Sequence, residues 1–369
     1  MTTGSPTPTL SALHLPGVRD AVDLQLADLL DRKEREASER GLPRDAVTVL
    51  RALLLGGMPR PGALLCVCGW HAAEGTGDTT ALVQVAASLE LFHASTLIHD
   101  DVMDRSDTRR GRHTAHRPDA GRPRGHRTRG AAARLGVSAA VLVGDLALAW
   151  SDELLHSARL PADRLKAVLP LVDAMRTEAV YGQYLDLLGG PGPGPGWDGG
   201  AEAPLNVIRH RTVKPVWERP LHIGAAVAGA APRLGGVLSA FALPLGEASQ
   251  LRDDLRGVFG DPRRTAAPRL DDLREGKHTV LLALAFRNAD PGQRAALRTL
   301  VGNPALDASG AARIREVLTA TGARSQAEEM IRVRRARAER ALTLASLPAH
   351  AEEALRRLAN AATAIATDS

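Results

Sequence analysis

Apolar residues recur at helical spacing along almost the whole chain. The stretches 17–40, 44–56, 63–73 and 80–104 each carry them at intervals of three and four, the period that keeps one helical face apolar. The pattern returns at 135–158, 162–188 and 204–231, then at 234–259, 277–289, 291–302, 310–321 and 324–363. No segment alternates apolar and polar residues for the length of a strand, and no repeat period is visible. The pattern predicts an all-α fold over residues 17–369, in one domain, with helices joined by loops that gather the polar chemistry. Residues 1–16 are expected to form a flexible tail. Residues 105–134 read as a long basic loop. The run Gly189-Gly190-Pro191-Gly192-Pro193-Gly194-Pro195-Gly196 has no place in a helix, so 189–204 is expected to be a surface loop.

Composition narrows the class. At 369 residues and 44% hydrophobic, the chain can bury a sizeable core. No uninterrupted apolar run reaches the ~18 residues of a membrane span. Met1 to Pro16 lacks the basic start and apolar block of a secretion signal, so no stable membrane insertion is expected. Cys66 and Cys68 are too close for an ordinary structural bridge and too few for a metal site, which points to reduced thiols packed in a helix and to the cytoplasm.

The net charge of +5 is local. Residues 105–134 hold ten arginines against Asp107 and Asp119, a balance of +8, so the rest of the chain sums to −3. This patch is rich in Gly and Pro and lacks interleaved aromatics. It reads as a solvated loop that partly serves an anionic substrate, and no nucleic acid is expected as a partner.

The densest chemistry lies at Asp100-Asp101-Val102-Met103-Asp104, after an apolar run, with Arg109-Arg110-Gly111 downstream. Like charges four apart on a helix repel by about 0.2–0.5 kcal/mol per pair. A hard divalent cation such as Mg²⁺ neutralises bare oxygen ligands and shares its shell with substrate phosphates. Adjacent arginines suit diphosphate oxygens. His93, Thr96, Asp100 and Asp104 stand at i, i+3, i+7 and i+11, along one stripe of one helix. A second acidic group, Gln250, Asp253 and Asp254, lies on another helical segment, with Gln250 and Asp254 sharing a face. Two acidic helix ends in an all-α chain imply a cleft that holds several Mg²⁺ ions and clamps a diphosphate as it leaves.

These motifs resemble the trans-isoprenyl diphosphate synthases, also called polyprenyl synthetases, of the geranylgeranyl type. The likeness covers residues 45–290. Its marks are Asp100 to Asp104, Arg109-Arg110-Gly111, Gly144-Asp145, Gly182-Gln183-Tyr184-Leu185-Asp186, Glu218-Arg219-Pro220-Leu221-His222, Gln250 to Asp254 and Glu275-Gly276-Lys277. The resemblance implies an isoprenoid synthase fold, a helical bundle around a central cavity, in a homodimer that needs three Mg²⁺ ions. It implies catalytic roles for Asp100, Asp101, Asp104, Asp253 and Asp254, with Asp100, Asp104 and Asp253 as metal ligands. His93, Arg109, Arg110, Arg60, Arg211, Thr212, Gln250 and Lys277 would bind prenyl diphosphates. Ser95 and Thr96, just before the first motif, would set chain length. The implied chemistry is ionisation of an allylic diphosphate, attack by the isopentenyl double bond and proton loss.

The chain also departs from that family. Where Gly-Gly-Lys-Arg-x-Arg-Pro is usual, it has Gly56-Gly57-Met58-Pro59-Arg60-Pro61, which leaves Arg60 as the remaining cation. The usual Lys-Thr pair is Arg211-Thr212, the lysine expected near Ala266-Ala267 is absent, and the Phe before Gln250 is Ser249. Each lost phosphate cation costs about 1.5–3 kcal/mol of binding. A chain-elongating prenyltransferase giving geranylgeranyl diphosphate is the leading expectation. A class I terpene cyclase on the same scaffold needs no isopentenyl site, although ten aromatic residues offer few faces to guide a carbocation. A non-catalytic partner subunit is the third expectation, and the intact aspartates weigh against it.

Overall fold

The structure is a computed structural model that describes residues 14–104, 108–109, 112–115, 129–190, 192–194, 197, 200–260 and 270–364. It is all-α. Helices α1 (Leu15–Glu39), α2 (Asp45–Leu54), α3 (Pro61–Ala72) and α4 (Thr80–Met103) come first. A two-residue antiparallel ladder follows, β1 (Thr108–Arg109) with β2 (Arg112–His113). Next are α5 (Arg129–Ser157), α6 (Ala162–Gly189) and α7 (Glu202–Ile208), then a π-helix at Arg209–Glu218, α8 (Arg219–Ala228) and α9 (Pro232–Phe259). The C-terminal part holds α10 (Asp271–Glu275), α11 (Val280–Asn288), α12 (Pro291–Leu300), α13 (Ala308–Ala320), α14 (Ala323–Leu344) and α15 (Ala349–Thr363).

Helix α4 is apolar on nearly every face until its last turn, so it is buried, chiefly against α5, α3 and α1. Around it Leu26, Leu29, Val67, Val85, Leu91 and Ile98 form one apolar cluster. A second cluster joins α9, α11 and α14, and a third joins α3, α8, α9 and α15. Helices α3 and α8 touch backbone to backbone. A Cβ on Gly69 would lie 2.0 Å from the Leu221 carbonyl oxygen, and one on Gly224 would lie 1.7 Å from that of Cys66.

Several elements differ from the sequence pattern. Helix α5 begins at Arg129, inside the stretch expected to be basic loop. The expected helix at 204–231 is three pieces, because Pro215 lacks an N–H and its ring crowds the carbonyl of Arg211. The widened π turn relieves that crowding, and a π segment inside a helix is often found at a functional site. The long helix expected at 324–363 breaks where Ser346 takes a left-handed conformation (φ 49°) ahead of Pro348. The Gly/Pro-rich stretch is not simply a surface loop: Trp197 within it is buried. Two helices, Thr80–Met103 and the Ala133–Ser157 part of α5, reach membrane-span length and mean hydropathy. Counting uninterrupted runs missed them, because isolated polar residues break each run without making the segment polar. In α4, 72% of that window is buried inside the protein, but in α5 only 28%.

Candidate active site

A cavity of about 560 Å³ lies among α4, α6, the π-helix, α9 and the segment joining α10 to α11. That volume is typical of a small-molecule site. One part of its wall is apolar, with Leu89 and Phe92 of α4, Met175 and Ala179 of α6, Val216 of the π-helix and Pro220 of α8. The other is charged, with Asp100, Asp186, Arg211, Asp254, Asp272 and Lys277, and the neutral Gln250 stands among them.

The helical stripe expected in the sequence is present. His93, Thr96 and Asp100 line the cavity, and Asp104 follows on the same side, at the end of α4. Two cations hold these carboxylates. Arg211 donates from Nη2 to Asp100 Oδ1 at 2.6 Å and from Nη1 to Asp186 Oδ2 at 2.6 Å, with Asp104 Oδ2 at 3.8 Å. Lys277 Nζ lies 2.8 Å from Asp104, 3.1 Å from Glu275 and 3.4 Å from Asp272. Burial alone would lower the pKa of both cations, but the carboxylates around them outweigh it and raise it. Burial pushes Asp186 up despite the nearby Arg211 and Lys277.

Arg211 and Thr212 reach the cavity because the π-helix lies directly on α6. A Cβ on Gly182 of α6 would meet the Arg211 backbone nitrogen at 2.2 Å, so only glycine permits this approach. Beside the apolar part, Glu178 accepts from Lys214 at 3.0 Å and from Arg219 at 2.6 and 2.8 Å. Burial would raise the Glu178 pKa, yet these two cations hold it below the usual carboxylate range.

From α9, Gln250 and Asp254 stand in the wall, and Gln250 Nε2 donates to Asp254 Oδ1 at 2.9 Å. Burial, reinforced by Asp272 and Asp253, pushes Asp254 up to about 7. Asp253, the expected metal ligand of this group, is exposed and paired with Arg252 at 2.6 Å.

Other expected residues lie elsewhere. Arg60 is not at a substrate surface. It is 1% exposed, its Nη2 lies 2.7 Å from Asp23, its Nη1 lies 3.6 Å from the equally buried Glu90, and it also donates to the Leu54 carbonyl. Partners from α1 and α4 draw it inward, which the local sequence does not reveal. Ser95 is buried and outside the cavity wall, whereas Thr96 lines it, because neighbours on a helix point about 100° apart. Asp101 is buried and also outside the wall. The side chain of Arg109, all of Arg110, Asp261 and the Ala266-Ala267 stretch lie outside the described residues. Asp272, His278 and Thr279 join the wall without having been singled out in the sequence. The pair Asp271-Asp272 ahead of Lys277 was the available signal for the first; none marked the others.

Among the described residues no three His, Cys, Asp or Glu side chains form a metal cage. The donors at the mouth are carboxylate oxygens from separate elements. Such a set suits Mg²⁺, which is commonly bound by one or two carboxylates, water and substrate phosphates rather than by an all-protein cage.

The fold is similar to that of a geranylgeranyl pyrophosphate synthase from Corynebacterium glutamicum, solved with isoprenyl diphosphate and magnesium. That structure superposes with a TM-score of 0.87 at 36% identity, over 95% of this chain and 99% of the other. In sequence, the chain is 29% identical over 299 residues to a geranylfarnesyl diphosphate synthase from Aeropyrum pernix, covering 80% of each. It is 30% identical over 249 residues to the octaprenyl diphosphate synthase of Escherichia coli, covering 68% of each. Residues 48–319 match the sequence model of the polyprenyl synthetases. With an acidic mouth, two partly buried cations and an apolar pocket on one helical scaffold, the chain belongs to the polyprenyl synthetase family and is a prenyltransferase.

Proposed function

We propose that this prenyltransferase condenses isopentenyl diphosphate with an allylic prenyl diphosphate and releases geranylgeranyl diphosphate or a product of similar length, in the cytoplasm. The observation that carries the reading is the convergence of the α4 and α9 carboxylates with Arg211 and Lys277 on one part of a cavity that is apolar elsewhere. The diphosphate binds at the charged part and the prenyl tail lies along Phe92, Met175 and Ala179. Asp100 and Asp104 from one side, and Asp253 and Asp254 from the other, would hold Mg²⁺. Bound there, the metal supplies Lewis-acid neutralisation of the leaving diphosphate. Arg211 and Lys277 exchange their carboxylate partners for phosphate oxygens, which places fixed positive charge where negative charge develops. Thr212 and Gln250 offer hydroxyl and amide donors to the same group, His93 lies deeper on the α4 stripe, and the family resemblance assigns Arg109 and Arg110 to diphosphate binding. Thr96, rather than Ser95, faces the growing chain.

The test is purified protein with Mg²⁺ and isopentenyl plus allylic diphosphates. Longer diphosphates are expected, and a chelator should stop their formation. The inward Arg60 favours a second reading, a class I terpene cyclase, because it takes away a cation for isopentenyl diphosphate. A hydrocarbon or terpene alcohol from geranylgeranyl diphosphate alone would establish that reading instead. If neither mixture changes, the chain acts as a partner subunit.

A homodimer fits the exposed apolar face of α5 and α6. Leu142, Val180, Tyr181, Tyr184, Leu187 and Leu188 are all more than half exposed there. Exposed apolar side chains gathered in this way mark a contact surface. Val180, Tyr184 and Leu187 also line the cavity, so a second copy would close its outer wall.

A further inference from the structure

Between α6 and α7, Gly192 and Trp197 contact the segment that carries Lys277. Gly190 follows α6 with a positive φ of 68°, and two residues on the Gly192 N–H donates to the Gly276 carbonyl at 2.9 Å. Gly192, Gly276 and Gly302 all have positive φ and meet backbone to backbone. A Cβ on Gly276 would lie 2.4 Å from the Gly192 nitrogen and 3.0 Å from the Gly302 Cα. Further along, Trp197 is 3% exposed. Its indole stacks on the His278 imidazole with centroids 4.3 Å apart and planes 15° apart, and meets Phe286 edge-on at 5.5 Å. Gly276, Lys277, His278 and Thr279 form the non-helical link between α10 and α11. Lys277, His278 and Thr279 line the cavity.

The two grips bracket the lysine. The glycine junction fixes the backbone one residue before Lys277, and the indole fixes the side chain one residue after it. Lysine carries a point charge on a flexible four-carbon stem, so its placement depends on how firmly its backbone is held. Burial keeps His278 less basic than usual, which favours a neutral imidazole lying flat on the indole.

We propose that the glycine-rich strap after α6 is a positioning device for Lys277, with Trp197 as its anchor. The proposal rests on reading the charged part of the cavity as a diphosphate site. The strap links α6, whose Asp186 pairs with Arg211, to the segment whose Lys277 pairs with Asp104. Both cations of the mouth are thereby set from one end of one helix.

The experiment is calorimetric titration of the full chain with inorganic pyrophosphate and Mg²⁺, comparing wild type with Trp197→Ala, Trp197→Phe and Lys277→Ala. Trp197→Ala is expected to weaken binding about ten-fold, as Lys277→Ala does, the loss of one charge-assisted contact. Trp197→Phe, which keeps a ring over His278, should restore most of it. In turnover Trp197→Ala should raise KM for the allylic diphosphate more than it lowers kcat. A purely structural tryptophan would lower the melting temperature and leave pyrophosphate affinity unchanged, and that result overturns the proposal. Should Trp197→Ala fail to fold, His278→Leu removes the same stack at a half-buried position and carries the same expectation. If wild type with Mg²⁺ does not bind pyrophosphate at all, the diphosphate reading itself fails and the strap's role falls with it. If wild type binds and both stack variants bind equally well, only the strap's role falls.

Discussion

At the scale of single residues, two charged groups divide the labour between stability and chemistry. Arg60 belongs to stability. Replacing it with Met leaves Glu90 buried without its cation, a change that costs about 3–5 kcal/mol. The double variant Arg60→Met, Glu90→Gln should recover part of that loss in denaturant titration. An unchanged unfolding midpoint in the single variant, with a raised KM, would return Arg60 to the substrate site. Asp100 is proposed to serve chemistry: Asp100→Ala should lower turnover by at least ~100-fold while the chain stays folded. Retained turnover would remove Asp100 from the metal site. His222 gives a pH signature. Burial keeps its imidazole less basic than usual, although Glu218 faces it, and its Nε2 bonds the Gly235 carbonyl at 3.0 Å. The unfolded chain takes up a proton that the folded imidazole refuses. Stability from this group is full above about pH 6.5 and is lost as pH falls below that value. Thermal melts near neutrality and one unit below the ordinary imidazole value should therefore separate more in wild type than in His222→Gln. The acidic stripe was legible at this scale, because helical spacing alone places His93, Thr96, Asp100 and Asp104 together. The fate of Arg60 was not, since its partners lie 37 and 30 positions away in sequence, on α1 and α4.

At the scale of elements, the π-helix is the part that the apolar pattern hides. The same residues favour α and π turns, and only Pro215 hinted at a change. Its consequence is the position of Arg211, pressed against Gly182 of α6. Gly182→Ala inserts a methyl group between two backbones and should cost about 1–3 kcal/mol. It should also pull Arg211 from Asp100 and Asp186, so activity falls further than stability. Equal activity in the folded variant would mean that this close approach does not set the site. Helix boundaries elsewhere were read to within a few residues where a capping residue or proline marks them, as at Pro61 and Pro291. They were missed where the signal is tertiary, as in the start of α5.

At the scale of the whole molecule, the exposed apolar side chains of α5 and α6 form an unpartnered feature among the described residues. Leu142→Glu combined with Leu188→Glu places two charges there, on side chains that are 62% and 66% exposed, and should leave the monomer folded. Light scattering should report a shift from dimer to monomer. A wild type that is already monomeric would remove the homodimer from the proposal. The all-α class was legible from periodicity because nearly every segment is long enough for a helix. How the helices cross was not, because it depends on contacts such as Gly69 with Leu221 that no local pattern encodes.

The interlocked α3 and α8 carry a consequence for how this scaffold can vary. Gly62 of α3 and Pro220 of α8 both contribute to the cavity wall, and they sit on helices whose main chains already touch. That wall has no slack: neither helix can retreat without opening the contacts at Gly69 and Gly224. Single substitutions that resize the cavity are therefore expected among the side chains of the other wall elements, Phe92 of α4, Met175 of α6 and Val216 of the π-helix among them. The cavity is thus expected to change shape by single substitutions on one side and to resist them on the other.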